Sequence, residues 1–145
     1  MSKLVTPAEA VQLMTEGWTY LDVRSIPEFE EAHPTGAANI PLLHAQGGRM
    51  MPNPDFQKVV EGNYPRDAKL VVGCKAGGRS AQAVGILSSL GYQNLIDVRG
   101  GFGGERDALG RTVVPGWVEA GLPVAKGAES SQPYAELQTK ATAKP

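Results

Sequence analysis

The sequence predicts an α/β domain built round a mainly parallel sheet. Two observations carry that prediction: short apolar or β-branched runs alternate with segments of helical spacing, and the connections between them are short. A third is the stretch from Leu70 to Val84, LVVGCKAGGRSAQAV, where a buried-strand pattern runs through a glycine-rich turn into a helical one. Ligands of parallel sheets bind beyond the carboxyl ends of the strands, and the only cysteine of the chain, Cys74, sits there.

In chain order, Thr6-Pro7-Ala8-Glu9 reads as a capping box with proline at the first helical position, opening a helix to about Met14 that Gly17 releases. Trp18 to Arg24 has strand composition. Ser25-Ile26-Pro27-Glu28 is a second capping box, opening a short helix with Phe29 and Ala32 for its inner face. Gly36 to Pro41 reads as a short extended segment that Pro41 ends or holds at an edge, and His44 to Met51, HAQGGRMM, as a loop. Asn53-Pro54 starts a helix burying Phe56, Val59 and Val60, which gives way at Asn63-Tyr64-Pro65. The Lys69 to Gly73 strand follows. After the turn, Ala83, Val84, Leu87 and Leu90 fall at helical spacing up to Gly91, a residue suited to a left-handed cap. Leu95 to Val98 is one more strand, and Pro115 to Val124 closes on the core around Trp117. From Gly127 onward the residues are small and polar, which predicts a mobile tail.

The chain has 145 residues, the size of one ordinary domain. Fourteen Lys plus Arg stand against 15 Asp plus Glu, a formal net charge of -1, so no global basic field points to nucleic acid or an anionic membrane. A single Cys forms no internal disulfide, and one Cys with two His gives no zinc-site spacing, so no metal is expected. The start, MSKLVTPAEA, lacks the apolar region of a signal peptide, and no run is long enough for a membrane span. The expected setting is the cytoplasm, whose reducing conditions suit a free thiol.

Three readings of the turn compete. Gly73 to Ser80 has the spacing of a phosphate-binding loop, but Arg79 stands where that loop needs lysine, and a forked guanidinium is a poor substitute for a slender point charge. A free cysteine is more often inert packing. Here its neighbours Lys75, Gly77, Gly78, Arg79 and Ser80 make a poor apolar pocket, whereas glycines let backbone N–H groups converge on one point. The third reading is a reactive thiolate in an anion cradle: a helix N-terminus with Lys75 and Arg79 nearby favours the charged sulfur, and the same N–H groups would stabilise an anion carried on it, an added sulfur or a phosphoryl group.

In these residues the chain resembles the rhodanese sulfurtransferases in their short single-domain form. The resemblance spans roughly Thr6 to Val124. It rests on Asp22-Val23-Arg24 with Glu28-Phe29, on His33-Pro34-Thr35-Gly36-Ala37-Ala38-Asn39-Ile40-Pro41, and on Cys74-Lys75-Ala76-Gly77-Gly78-Arg79-Ser80. Gly91-Tyr92, Asp97-Val98 leading into Gly100-Gly101-Phe102, and Ala120 to Val124 complete it. The resemblance implies about five strands with helices on both faces; with the polar composition after Gly127 it divides the chain into a domain over residues 1–126 and a tail over 127–145. It implies that Cys74 takes a sulfane sulfur from thiosulfate or a similar donor as a persulfide and passes it to cyanide, a small thiol, thioredoxin or another protein thiol. No cofactor beyond that covalent persulfide is needed. Lys75 to Arg79, including Ala76, would supply the backbone cradle, with Lys75 and Arg79 attracting the donor and Ser80 a further hydrogen-bond donor. Thiolate attack on sulfur with a good leaving group requires no general base, so His33 and His44 are read as loop residues.

Related domains perform phosphate chemistry with a loop one residue longer, and rhodanese-like interaction modules usually lack the cysteine. A phosphatase, an arsenate reductase and a non-catalytic module are therefore the alternatives. Asp22 and Arg24 either pair with each other, cap the next helix or hold the active-site loop. Glu28 is explained as a capping residue, with a contact to the loop as an added role. Arg79 is either a substrate contact or an ion-pair partner. The family pattern commonly reaches tryptophan soon after Gly-Gly-Phe, whereas here residues 103–116 intervene before Trp117.

Overall fold

A computed structural model describes residues 3–75, 78–127 and 131–143, the last two only in their backbone. The first half of the chain forms β1 (Lys3–Val5), α1 (Pro7–Thr15), β2 (Thr19–Asp22), α2 (Ile26–Glu31), β3 (His33–Pro34), β4 (Ala38–Asn39), β5 (Leu43–Gln46), β6 (Arg49–Pro52) and α3 (Phe56–Asn63). The second half forms β7 (Lys69–Gly73), α4 (Gly78–Ser89), β8 (Asn94–Val98), β9 (Glu105–Arg106), β10 (Thr112–Val114), β11 (Val124–Ala125) and α5 (Tyr134–Ala143).

Five strands make one parallel sheet in the order β1-β8-β7-β2-β4. Strand side chains alternate between faces. Leu21, Leu70, Val72 and Leu95 pack on one side with Phe56, Val59 and Val60 of α3, Ala83, Val84 and Leu87 of α4, and Leu137 of α5. Tyr20, Val71, Ile96 and Val98 pack on the other with Ala10 of α1, Phe29 of α2 and Trp117. Helices thus cover both faces, and the central strand β7 delivers Cys74 to the carboxyl edge of the sheet. Among the described residues no helix is long and apolar enough to cross a membrane.

The local stops and starts follow the side chains. Glu9 N–H donates to Thr6 Oγ1 at 3.3 Å, and Thr6 N–H donates back to the Glu9 carboxylate at 2.9 Å, closing the first capping box. Gly91, at φ +98°, ends α4 as its sequence position predicts.

Two segments differ from the sequence reading. His44 to Met51 lies within an antiparallel hairpin, β5 with β6, joined by Gly47 and Gly48, both at positive φ. Such a pair of glycines fits the right-handed twist of the flanking strands. The expected mobile tail is the second correction: Gln132 exchanges backbone hydrogen bonds with Ala37 and Asn39 along the sheet edge, and residues 134–143 form α5, packed on α3. Its apolar groups are few, but Tyr134, Leu137 and Ala141 recur on one helical face and all three are buried. Gly62 of α3 permits the approach, since a Cβ there would lie 2.6 Å from that of Ala141. Asn63 Nδ2 ties the helices by donating to the Leu137 carbonyl at 2.9 Å.

Candidate active site

The site begins with the last residue of β7. A Cβ on Gly73 would overlap the buried Tyr20 hydroxyl of β2, so glycine is required for β7 to lie over that ring. Cys74 follows, nearly buried at 2% exposure, and its S–H donates to Ser80 Oγ at 3.4 Å. Ser80, in the first turn of α4, is fully buried. Its hydroxyl thus lies against the Cys74 sulfur, within hydrogen-bond reach of it. Ala76 and Gly77, the expected middle of the cradle, lie outside the described residues.

A second turn, after β8, grips the loop from the side. The Phe102 amide donates to the Cys74 carbonyl at 2.8 Å and the Gly103 amide to the Lys75 carbonyl at 2.7 Å. Gly101, at φ +51°, presses against the Cys74 peptide so closely that a Cβ would overlap its carbonyl oxygen. Trp117 N–H donates to the Gly101 carbonyl at 3.1 Å, and its ring is buried edge-on to Tyr20. The tryptophan thus reaches the turn despite the intervening residues. Those residues form the β9–β10 hairpin, whose base is closed by the near-contact of Gly104 and Gly116 backbones.

Charged side chains brace the same region. Asp22 and Arg24 pair with each other while buried, Arg24 Nη2 to Asp22 Oδ2 at 2.8 Å. Arg24 also donates to the Ala32 carbonyl at 2.8 Å, and its guanidinium lies 4.3 Å from the centre of the Phe102 ring. Asp22 therefore acts on the loop at one remove, through Arg24 and the Phe102 turn. Glu28 does contact the loop region: Arg79 donates to its two oxygens at 2.6 and 3.0 Å, while Ser25 Oγ donates at 2.8 Å. Partial burial works against the Glu28 charge, but the Arg79 and Ser25 hydrogen bonds and the Arg79 charge outweigh it, pulling the pKa down to about 2. The same bidentate pairing raises the Arg79 pKa. Arg79 is thus an ion-pair partner of Glu28, one of the two roles its sequence position left open. Lys75 is exposed and makes no ion pair among the described residues.

Beside the loop lies a cavity of about 200 Å³ lined by Arg24, Glu28, Glu31, Ala32, Lys75, Phe102 and Gly103. His33 is buried, donates from Nδ1 to the Phe29 carbonyl at 2.7 Å and stacks on the Phe29 ring, a packing role. His44 lies on β5, edge-on to Tyr134 of α5. Asp97 is a polar residue that the sequence placed in the family pattern but not in the site: it is buried on β8, and that burial raises its carboxyl pKa. Its signal was a carboxylate between the apolar residues Ile96 and Val98 of a strand.

A five-stranded parallel α/β fold that places its cysteine in a glycine-rich loop at the end of the central strand defines the class: an α/β domain whose candidate site lies at the carboxyl edge of its sheet. The Rhodanese-like domain model matches residues 6–104, and the chain belongs to that family. It is 33% identical over 119 residues to Thiosulfate sulfurtransferase 16, chloroplastic, of Arabidopsis thaliana, covering 82% of this chain and 89% of that one. It is also 33% identical over 115 residues to Senescence-associated protein DIN1 of Raphanus sativus, covering 79% of this chain and 56% of the relative. A crystal structure of a protein from M. tuberculosis superposes with a TM-score of 0.72 at 24% identity, covering 87% of this chain and 98% of that one, and shows the shared fold. Family and named relatives together make this a sulfurtransferase-family domain.

Proposed function

We propose that the protein moves a sulfane sulfur from thiosulfate, or a similar donor, to a thiophilic acceptor through a persulfide on Cys74. The observation that carries this reading is the thiol itself: the family's cysteine is present, at the end of the central strand, in a loop clamped by the Phe102 and Gly103 amides. The Cys74 thiolate attacks the outer sulfur of thiosulfate, a new S–S bond forms, and the old S–S bond breaks with its electron pair leaving on sulfite. A cyanide or thiolate acceptor then attacks the outer sulfur and regenerates the Cys74 thiolate.

The remaining residues act by positioning and by charge. Lys75 draws the dianionic donor towards the cavity beside the loop, and the N-terminal end of α4 favours the negative charge of the persulfide. Glu28 holds Arg79, and Arg24 supports Phe102, so the loop enters each half-reaction already shaped. A small-molecule donor, and cyanide, a small thiol, thioredoxin or another protein thiol as acceptor, are the proposed partners. A cytoplasmic setting is the proposed location.

The test is intact mass of the reduced protein after exposure to thiosulfate, with Cys74→Ser alongside and a cyanide chase. Gain of one sulfur atom on the native protein alone, removed by cyanide with release of thiocyanate, is the expected result. A readily alkylated Cys74 that takes up no sulfur would exclude thiosulfate as donor.

A further inference from the structure

The cavity of about 200 Å³ beside the Cys74 loop is lined by four charged side chains, and two of them are held elsewhere. Arg24 is bound to both carboxylate oxygens of Asp22, and Glu28 is bound to Arg79. That leaves Glu31 and Lys75. Among the described residues neither forms an ion pair or a side-chain hydrogen bond, with the other or with any neighbour. They reach the cavity from different walls. Glu31 is the last residue of α2, and the Lys75 stem runs along the second turn, where a Cβ on Gly103 would stand 3.0 Å from its Cγ. Helix stability does not account for the carboxylate, because the C-terminal end of a helix favours a cation and is set against an anion.

A free carboxylate and a free ammonium in one small cavity suit a ligand that carries the opposite pair. We infer that the sulfur acceptor is a small zwitterionic amino thiol, its ammonium held by Glu31 and its carboxylate by Lys75. This rests on the sulfur-carrier reading above and narrows its acceptor. Glu31 is then a specificity residue. Lys75 attracts the thiosulfate dianion and the acceptor carboxylate alike, whereas Glu31 repels the first substrate and holds the second. One cavity thereby serves both substrates in turn.

The acceptor thiol gives its proton to solvent, and its own ammonium favours the resulting thiolate. That thiolate attacks the outer sulfur of the Cys74 persulfide: a new S–S bond forms, the bond to Cys74 Sγ breaks, and its electron pair returns to Cys74 as thiolate. The acceptor leaves as a persulfide. Its ammonium and carboxylate take no part in these bond changes, so Glu31 and Lys75 act by binding and orienting it. Each contact is open to solvent and is worth about threefold in rate.

The experiment follows unloading of the Cys74 persulfide, in the full chain, to a set of thiols. Cysteine carries both charges, cysteamine only the ammonium, mercaptoacetate only the carboxylate and mercaptoethanol neither. Each variant's rate is divided by that of native protein with the same thiol, so differences in thiolate fraction cancel. Glu31→Gln should slow cysteine and cysteamine about threefold, leave mercaptoethanol unchanged, and quicken both mercaptoacetate and loading from thiosulfate. Lys75→Ala should slow cysteine and mercaptoacetate but spare cysteamine. Glu30→Gln removes a neighbouring exposed carboxylate that does not line the cavity, and should change none of the ratios. Equal changes for every thiol in Glu31→Gln, or the same pattern in Glu30→Gln, would overturn the inference. The same thiols are then tried on Cys74 capped with methyl methanethiosulfonate, where intact mass reads the free thiol regained and no sulfur donor is needed. The Glu31→Gln pattern in capped protein that never loads from thiosulfate would sink the sulfur-carrier reading and leave the cavity assignment standing. Normal loading with flat ratios would do the reverse, and a Cys74 that takes up neither sulfur nor the methylthio group would overturn both.

Discussion

Glu28 and Arg79 stand 51 residues apart in the chain and meet through two hydrogen bonds, at 2.6 and 3.0 Å. One carboxylate thereby serves two helices: it accepts from the Ser25 amide at 3.1 Å to close the start of α2, and it fixes the first turn of α4, from which Ser80 faces the thiol. The pair is a structural brace of the loop, and its energetics are open to titration.

Glu28→Gln should lower stability at neutral pH by about 1 kcal/mol, the upper range for a partly exposed pair. The folded protein holds the Glu28 pKa at about 2 against 4.5 for the free side chain, so the contribution is complete above pH 4.5 and fades as the pH drops through about 2. Urea unfolding midpoints of native and variant protein should therefore differ at neutral pH and converge at the acid end of that window. A difference that persists undiminished at about pH 2 would mean that packing, not charge, holds this corner.

Lys75 and Arg79 are both cations of the loop, yet their surroundings give them different tasks. Arg79 is committed to Glu28, whereas Lys75 is exposed beside the cavity. Lys75→Ala should raise KM for thiosulfate about threefold, the size of one exposed charge contact, and flatten the dependence of kcat/KM on salt. Arg79→Gln should instead lower stability and kcat, with a smaller change in salt dependence. Steady-state kinetics of the two variants at low and high ionic strength separate these outcomes; identical behaviour would put both cations on the substrate.

Gly101 is where the second turn meets the Cys74 loop, and it has no room for a side chain. Its φ of +51° disfavours any other residue, and a Cβ would overlap the Cys74 carbonyl. Gly101→Ala should cost about 1–3 kcal/mol and displace the loop. Loading by thiosulfate, followed by intact mass, should fall steeply in protein that still shows native far-ultraviolet circular dichroism. Full loading in the variant would show that the clamp on the Cys74 peptide is dispensable.

The residues that were legible in the sequence are those whose role is local. Thr6 with Glu9, Gly91 and the run Leu70 to Gly73 act within a few positions of themselves, and the lone cysteine announces the site by the glycines after it. The hairpin was readable too, because Gly47-Gly48 between two four-residue arms is a turn signal, but the arms are largely exposed and do not alternate between apolar and polar as a half-buried strand does. β1 is three residues long, too short for any periodicity, and exists because β8 pairs with it. The partner of Arg79 was illegible for the same physical reason: Glu28 reaches it from α2, and composition around the turn says nothing of what the fold brings alongside.

The C-terminal segment is the sharpest case, and it yields the last prediction. Read by composition, residues 127–145 lack the apolar content to hold themselves in place. A helix needs only one face to dock, and Leu137, 1% exposed, sits at the centre of that face between Tyr134 and Ala141. Leu137→Ala should therefore cost about 2–5 kcal/mol, as for other buried leucines. Thermal unfolding should fall by roughly 5–15 °C, while an exposed substitution such as Lys140→Ala on the same helix leaves it nearly unchanged. Unaltered unfolding of Leu137→Ala would return this segment to the status of a tail. A large loss would establish that the family fold, whose match ends at residue 104, is completed in this chain by a helix packed on α3.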